Sequence, residues 1–510
     1  MLNKYWKQFL SGSDIRGIAT DSVKDEKINL TNEAVQKIIH GFAEWLYEKT
    51  ALPCQSMVIA VGHDSRVSAF RMKTVIINSL RSLGIKVYDC SLASTPAMFA
   101  SIPILSCTAA VQITASHHPS NKNGMKFFTA NGGLSGLNVK EILEICQNNV
   151  SVNPPKDKGE VKTMNIMNYY CNSLIKFICK ELNCSEGDMP LKGLKIVVDA
   201  GNGVGGFFAA EILQKLGADV QGSIFLNPDG NFPNHIPNPD NKEAMKSIIK
   251  ATIDAQADLG VIFDTDVDRV GFVDSKGLEI SNNKLIALVS CIILKKYPGS
   301  TVVTDSVTSD KLEEFISSLG GNHFRFKRGY NNIISAAKKF NDSGVDCHLA
   351  IETSGHAAFK SNNFVDDGAY LACLVIAELM HLKKHGKTIN NLLENFIDSK
   401  ERTELRIKID NSSKFEELSA KILSKLKNYY QTFKNCKIDE NNLEGIRLKF
   451  NSRWQEGWCL LRKSVHDPIL VLNVESYVNG GVKSIIDTIK PFFSMFEFIN
   501  LKDLDIAKTI

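Results

Sequence analysis

The sequence predicts an α/β protein: three similar α/β units with mixed or parallel sheets, then a divergent, smaller α+β unit at the C-terminal end. Two observations carry the three-fold part. A helical pattern closed by a Leu-Gly pair and followed by a short strand occurs in "SLRSLGIKVYDC", "ILQKLGADVQGS" and "FISSLGGNHFRF", with Gly84, Gly217 and Gly320 at the stops. Glycine after a helical pattern is the expected left-handed terminator. Each passage is also preceded by an apolar strand-like run: "SMVIAVGHDSR", "LKIVVDAGNG" and "STVVTDSVTSD". Strand, helix and strand at this spacing make a βαβ unit, and near-continuous apolar strands are those of a sheet covered on both faces.

Each unit then sends a further strand into a polar loop. "TAAVQI" meets "TASHHP", "ADLGVIF" meets "DTDVDR", and "DCHLAI" meets "ETSGH". Open α/β sheets bind ligands beyond the carboxyl ends of their strands, so all three loops lie where chemistry is expected. The last part reads differently. "TELRIKID", the amphipathic "KFEELSAKILSKLKNYY", then "GIRLKF", "WCLLRKS" and "ILVLNVES" give strand, helix and strands. Turn or charge signals near "NPPKDKG", after "FVDSKGLEI" and around "DSKERTE" divide the chain into residues 1–156, 157–279, 280–399 and 400–510.

Composition narrows the classes. The 510 residues are 44% apolar and 23% charged, with a net charge of +4. The charges are interspersed, and no basic arm suited to a nucleic-acid backbone is seen. The start, "MLNKYWKQFLSGSDIRG", lacks an apolar signal region. The longest apolar runs, "LIALVSCIIL" and "AYLACLVIAELM", fall short of the roughly 20 residues of a membrane span. The twelve cysteines show no C-x-x-C pair. They read as reduced, mostly buried thiols of a cytoplasmic protein.

The loops carry the candidate chemistry. "DTDVDR" places Asp264, Asp266 and Asp268 at alternating positions, followed by Arg269. Three carboxylates without nitrogen or sulfur suit a hard cation such as Mg²⁺. An adjacent guanidinium suits a phosphoryl group. An EF-hand loop is excluded, because Arg269 and Ser275 stand where it needs Gly and Glu. A solvated acidic turn stays open, as does a haloacid-dehalogenase-like phosphatase with Asp264 as nucleophile and Asp366 and Asp367 as its later acidic pair. "TASHHPSNKNGMK" makes Ser116 a candidate nucleophile or phosphoryl carrier, with His117, His118 and Lys126 as candidate activators. It lacks the G-x-S-x-G elbow of a serine hydrolase. "ETSGH" offers Glu352, Ser354 and His356, which suit sugar hydroxyls and equally a capping turn. "LLRKSVHDP" offers Arg462, Lys463, Ser464 and His466, which suit a phosphate and equally an exposed basic turn.

Taken in order, "SDIRG", "VGHDSR", "TASHHPSNKNGMK", "DTDVDR", "ETSGH" and "LLRKSVHDP" resemble the α-D-phosphohexomutase superfamily, the phosphoglucomutases and phosphomannomutases, over almost the whole chain. The resemblance implies four domains around a central cleft and reversible interconversion of hexose 1- and 6-phosphates of mannose or glucose. Ser116 would carry the phosphoryl group beside one Mg²⁺ held by Asp264, Asp266 and Asp268. A bisphosphorylated sugar would be the intermediate and, supplied free, the activator. Lys126, with His117 or His118, would handle protons. Arg269 would neutralise charge, and Arg16 would hold the phosphoserine region. Gly329 and Tyr330, in "KRGYNN", would sense the sugar, and Glu352, Ser354 and His356 would bind it. Arg462, Ser464 and His466 would grip the non-reacting phosphate. Hexose phosphates are the expected partners, with no nucleic acid and no membrane, for a monomer or homodimer.

Three departures matter. The common phosphate loop R-P-S-G-T-E-P reads R-K-S-V-H-D-P here, with Val465 and His466 replacing Gly and Thr. Thr265 and Val267 stand between the carboxylates where many relatives have Gly or Asp. Tyr330 stands where many have His. Phosphoglucosamine mutase, the phosphatase, and a non-catalytic sugar-phosphate-binding paralogue are the alternatives.

Overall fold

The computed structural model describes residues 2–23, 25–148, 155, 157–410, 414–464 and 468–505. The chain divides into two compact units. The first holds residues 1–285 and 354–392, and the second holds 286–353 and 393–510.

Among the described residues, two sheets lie wholly within the first unit. In the larger, Val58–His63 lies between Lys86–Leu92 and Ala109–Ile113, parallel to both. Lys122–Thr129 returns antiparallel to Ala109–Ile113 and carries Asp14–Ile18 on its far side. Val161–Thr163 closes the other edge, parallel to Lys86–Leu92. This edge strand lies past residue 156, where a boundary was expected. It is short and exposed, rich in Lys and Thr, as a protected sheet edge should be. The core beneath the sheet joins Ile59, Val61, Val111 and Phe127 to Ile38 and Phe42 of helix Asn32–Thr50.

The smaller sheet runs Ile196–Asp199, Leu259–Phe263, Val270–Asp274, Glu279–Ile280. Its first pair is parallel and the rest antiparallel. The acidic segment 264–269 is therefore the turn of a hairpin, and the Asp264 N–H donates to the Arg269 carbonyl at 3.3 Å. The apolar run "AYLACLVIAELM" forms helix Gly368–Lys384, buried along most of its length, with Asp367 as N-cap. That burial, not a membrane, explains its composition. Among the described residues no helix is long and apolar enough to cross a membrane. Most of the cysteines are buried.

The second unit holds Thr301–Thr304 between Asn322–Arg325 and Cys347–Ile351, all parallel. It also holds an antiparallel sheet in the order Glu401–Lys408, Ile469–Ser476, Gly457–Lys463, Ile446–Phe450, Cys436–Ile438. Helices Phe415–Tyr429 and Gly481–Phe493 cover that sheet through Ile422, Ile485, Ile489 and Phe492. The C-terminal part is thus α+β, as its pattern predicts.

The repeat is visible in backbone detail. Gly84, Gly217 and Gly320 all have positive φ, from 77° to 91°. Beside each, an N–H reaches back five residues: Ile85 to Leu80, Ala218 to Leu213, and Gly321 to Ile316. That is the Schellman closure, three times. The second copy departs from expectation. Its helix is a π-helical stretch, Phe208–Leu213, and its returning strand shrinks to two isolated bridges, Lys195↔Asp219 and Asp199↔Ile224. Gly217 and Gly222, both left-handed, flank too few residues there to sustain a ladder.

Candidate active site

Ser116 follows the carboxyl end of Ala109–Ile113 and is buried, 4% exposed. Its φ is +49°, a left-handed conformation that a serine adopts only when held. Its N–H donates to Thr114 Oγ1 at 2.8 Å, and its carbonyl accepts from Thr265 Oγ1 at 2.8 Å. The strained turn aims the hydroxyl at the acidic hairpin. Ser116 Oγ donates to Asp264 Oδ2 at 2.8 Å and accepts from Arg269 Nη2 at 3.0 Å.

The hairpin brings the three carboxylates together. Asp264, Asp266 and Asp268 are buried, and one oxygen of each lies within 4.8 Å of the others. Strand alternation stops at Val267, whose φ is +67°, so the carboxylates converge through the turn. The helix Gly368–Lys384 pins this turn. The Gly368 N–H donates to the Val267 carbonyl at 3.1 Å. A Cβ at Gly368 would lie 2.8 Å from the Arg269 carbonyl carbon. Two cations face the three anions. Lys126 binds Asp266 at 3.1 Å and Asp268 more closely, and Arg269 Nε binds Asp264 at 3.2 Å.

Were all three carboxylates ionised, they would outnumber the two cations by one. Burial, then Asp268 and Asp266, push the Asp264 carboxyl well above its usual range. Burial also pushes Asp268 up, but Lys126, His356 and Arg269 together hold it far below. Asp266 Oδ1 and Asp268 Oδ1 are buried with no hydrogen-bond partner among the described residues. Buried anionic oxygens without donors are costly. An all-oxygen donor set with such oxygens to spare fits a hard divalent cation. A second possible set, Asp268, His356 and Asp366, shares Asp268. There His356 Nδ1 sits 2.5 Å from Asp366, and the carboxylates raise the imidazole to about 9 against the pull of burial. A protonated imidazole is an ion-pair partner and not a ligand, so the three-aspartate set is the better cation site.

His117 lies 3.4 Å from Ser116 Oγ, with Arg269 against its Nδ1. That guanidinium first, then burial, keeps the imidazole neutral far below its ordinary range. His117 is therefore a poor proton acceptor. His118, expected with His117 as a helper in proton handling, stacks on His117 with centroids 4.9 Å apart. Arg16 pairs with Asp14 at 2.7 Å and also binds the Thr114 carbonyl, so it braces the strand end entering the serine loop. His356, expected at the sugar, turns instead to Asp366 and comes within 3.9 Å of Asp268. Ser354 is partly exposed on the same turn. Asp367 caps its helix and accepts from Tyr170 at 2.6 Å, which separates it in role from Asp366.

Two residues of this site carried no role in the sequence reading. Arg66, fully buried, donates to the carbonyls of Ser116 (2.6 Å), His118 (2.5 Å), Pro119 (2.7 Å) and Lys122 (2.8 Å), and pairs with Asp64 at 3.3 Å. Its motif "VGHDSR" was visible, but not that the guanidinium would gather a loop 50 residues away. Thr95 opens helix Thr95–Leu105; its Oγ1 donates to Asp266 Oδ2 at 2.5 Å and its N–H to the Asp266 carbonyl at 2.9 Å. The helix-start signal "STP" was the available clue.

The second unit gathers a basic cluster. Arg462 is buried and donates to Asn473 Oδ1 at 3.2 Å. Glu404 lies 3.7 Å from Arg462 and 3.6 Å from Arg328. Arg328, like Arg66, was not singled out. Gly329 caps helix Tyr330–Asp342 with φ +116°, and its N–H donates to Glu352 Oε1 at 2.5 Å. Tyr330 begins that helix and is partly exposed. Lys463, expected beside Arg462, points the other way to Glu416 at 2.6 Å, because successive strand residues face opposite sides. Ser464 is held by its N–H to the Ile469 carbonyl at 2.9 Å. His466 lies outside the described residues.

A left-handed serine turn against a buried acidic hairpin, at the strand ends of repeated α/β sheets, is an arrangement suited to phosphoryl transfer. The chain belongs to the phosphoglucomutase/phosphomannomutase family: residues 7–154, 168–277 and 281–399 match its α/β/α domains I, II and III. It is 30% identical over 473 residues to a phosphomannomutase/phosphoglucomutase of Pseudomonas syringae, covering 92% of each chain. It is also 30% identical over 474 residues to a phosphoglucomutase of Neisseria gonorrhoeae, covering 92% of this chain and 94% of that one. In fold it resembles a phosphoglucomutase/phosphomannomutase family protein of Burkholderia thailandensis, with a TM-score of 0.78 at 23% identity over 97% and 98% of the two chains. An N-acetylphosphoglucosamine mutase of Aspergillus fumigatus, solved with GlcNAc-6P and magnesium, shares the fold at a TM-score of 0.51 and 15% identity, over 78% of this chain and 90% of that one.

Proposed function

We propose that this chain interconverts hexose 1-phosphates and hexose 6-phosphates of mannose or glucose, with Ser116 as the phosphoryl carrier. One observation carries the reading: Ser116 Oγ points at 2.8 Å into a buried cluster of three carboxylates, two of whose oxygens have no hydrogen-bond partner among the described residues. A serine so placed is a phosphoryl carrier beside a cation. The family membership and the names of the Pseudomonas and Neisseria relatives support the same reaction.

Asp264, Asp266 and Asp268 would hold Mg²⁺, which when bound neutralises charge on the phosphoryl oxygens. Lys126 and Arg269, which pair with these carboxylates, stand beside the same site and would serve the substrate. In the forward half-reaction the Oγ–P bond of phosphoserine breaks and a P–O bond to a sugar hydroxyl forms. Lys126 gives a proton to the departing Ser116 Oγ and takes one from the attacking hydroxyl. His117, held neutral by Arg269, positions the hydroxyl and does not serve as the base. Arg269 donates to the transferring group, and Arg66 and Arg16 keep the serine loop in place. The second half-reaction runs the same steps from the other end of the bisphosphorylated sugar. A free hexose bisphosphate therefore loads an unphosphorylated enzyme and acts as activator.

Arg462 and Arg328, spaced by Glu404, offer guanidinium forks suited to a phosphate. Glu352, already accepting from Gly329, would take sugar hydroxyls, with Ser354. Asp264 is not positioned as a phosphatase nucleophile, since one of its oxygens is shared by Ser116 and Arg269. Coupled assays of glucose and mannose 1-phosphate conversion, with Mg²⁺ and a priming bisphosphate, test the proposal. Turnover should fall to background in Ser116→Ala. Free phosphate release in place of isomerisation would refute it.

A further inference from the structure

Away from the acidic hairpin, the first unit holds a half-open cavity of about 300 Å³. One wall is helix Thr95–Leu105, through Pro96 and Ala100. Another is helix Ile166–Glu181, through Leu174 and Phe177. The third is the start of helix Gly368–Lys384, through Tyr370. None of these side chains has a place in the phosphoryl chemistry.

The lining selects a ligand by its chemistry. Phe177 stacks on the buried Tyr370 with centroids 4.1 Å apart, and the stacked pair gives the wall an aromatic surface that suits a planar ring. Asp367 lines the cavity with both oxygens engaged, accepting from Tyr170 (2.6 Å), the Tyr370 N–H (2.9 Å) and Asn362 (3.2 Å). It offers no donor and disfavours an anion against it. The cationic side chains are Lys176 and Lys180, both exposed and one helical turn apart. Like charges at that spacing destabilise a helix. Neither makes an ion pair among the described residues, whereas Lys73, Lys215 and Lys383 of this unit pair with acidic side chains.

The walls also lead to the acidic hairpin. Pro96 adjoins Thr95, which holds Asp266 by both side chain and backbone. Asp367 adjoins Gly368, which holds the Val267 carbonyl. We infer that this cavity is an effector site for a small aromatic anion, ring inward on Phe177 and Tyr370, charge outward on Lys176 and Lys180, coupled to the hairpin through Thr95 and Gly368. The coupling rests on the phosphohexomutase reading; the site does not.

The test uses the full chain with 1-anilinonaphthalene-8-sulfonate as anionic probe and N-phenyl-1-naphthylamine as its neutral counterpart. Fluorescence titration should give one anionic probe per chain. Its affinity should drop about five-fold or more in Lys176→Glu/Lys180→Glu, a change confined to exposed positions, while the neutral probe is unaffected. Ala100→Trp, which fills the cavity, should abolish binding of both. Anionic-probe affinity unchanged in the lysine variant, or equal losses for the two probes there, would overturn the site. Saturating probe should change kcat for hexose phosphate turnover about two-fold or more in the parent chain and leave Ala100→Trp unaffected. Retained binding with unchanged kcat would overturn the coupling. No turnover even without probe would count against the mutase reading instead, and the titration would still decide the site.

Discussion

Replacing Arg66 with lysine should slow turnover without weakening substrate binding. The guanidinium gives charged hydrogen bonds to four carbonyls of the serine loop and also pairs with Asp64. An ammonium has three N–H donors, so at least one carbonyl loses its partner, and the fork geometry is lost with it. One charged hydrogen bond contributes about 1.5–3 kcal/mol. That corresponds to roughly ten- to hundred-fold in kcat if the loop's geometry matters only in the reaction. The loop has reason to relax, because Ser116 at φ +49° is held against its own preference. KM should stay within about two-fold, since the hydrogen bonds of Arg66 go to backbone carbonyls of the serine loop. Arg66→Ala goes further. It leaves Asp64 buried without its partner and should cost about 3–5 kcal/mol of unfolding free energy. Steady-state kinetics on Arg66→Lys, with urea unfolding on both variants, separate the two effects. Parent-like kcat in Arg66→Lys would refute the idea that this guanidinium sets the nucleophile's geometry.

Three further outcomes follow from particular contacts. Gly368→Ala pushes a Cβ onto the backbone of Arg269 and Val267 and should cost about 1–3 kcal/mol in urea unfolding; no loss would mean the helix is not pinned to the hairpin. Burial pulls the His235 imidazole down, but its hydrogen bond and charge pairing with Asp199 outweigh that and raise it above 6.5. Its stabilising contribution is therefore full below about pH 6.5 and lost as pH rises through the folded-state value, so the drop in Tm across that window should shrink in His235→Gln. Arg462→Ala should raise KM for the hexose phosphate about ten-fold or more, whereas Lys463→Ala should change it less than about two-fold, because Lys463 pairs with Glu416 on the other face. Equal effects of the two would show that the strand's alternation does not decide which cation binds phosphate.

Much of this was legible in the chain because it is local. The Leu-Gly stops became three Schellman closures, since glycine is the residue that relieves the left-handed position. The loops after "TAAVQI" and "ADLGVIF" could be assigned because parallel strands end where ligands bind. Helix Gly481–Phe493 went unread, although Val482, Ile485, Ile486 and Ile489 keep helical spacing; Asn479 and Gly480 before it and Pro491 near its end carry loop signals. What depends on distant partners was not legible. Arg66 and Thr95 act on segments 50 and 171 residues away. The neutral state of His117 follows from Arg269, and the turning of His356 follows from Asp366. Alternation along Gly457–Lys463 was available in the sequence and would have separated Arg462 from Lys463.

The most direct test is the position of the phosphoryl group. The chain, loaded with glucose 1,6-bisphosphate and Mg²⁺, is analysed by intact-mass and peptide-level mass spectrometry. One phosphoryl group on Ser116, absent from Ser116→Ala and lost on addition of hexose monophosphate, is the predicted result. A phosphoryl group on Asp264, or none on a chain that still turns over hexose phosphates, would contradict the account.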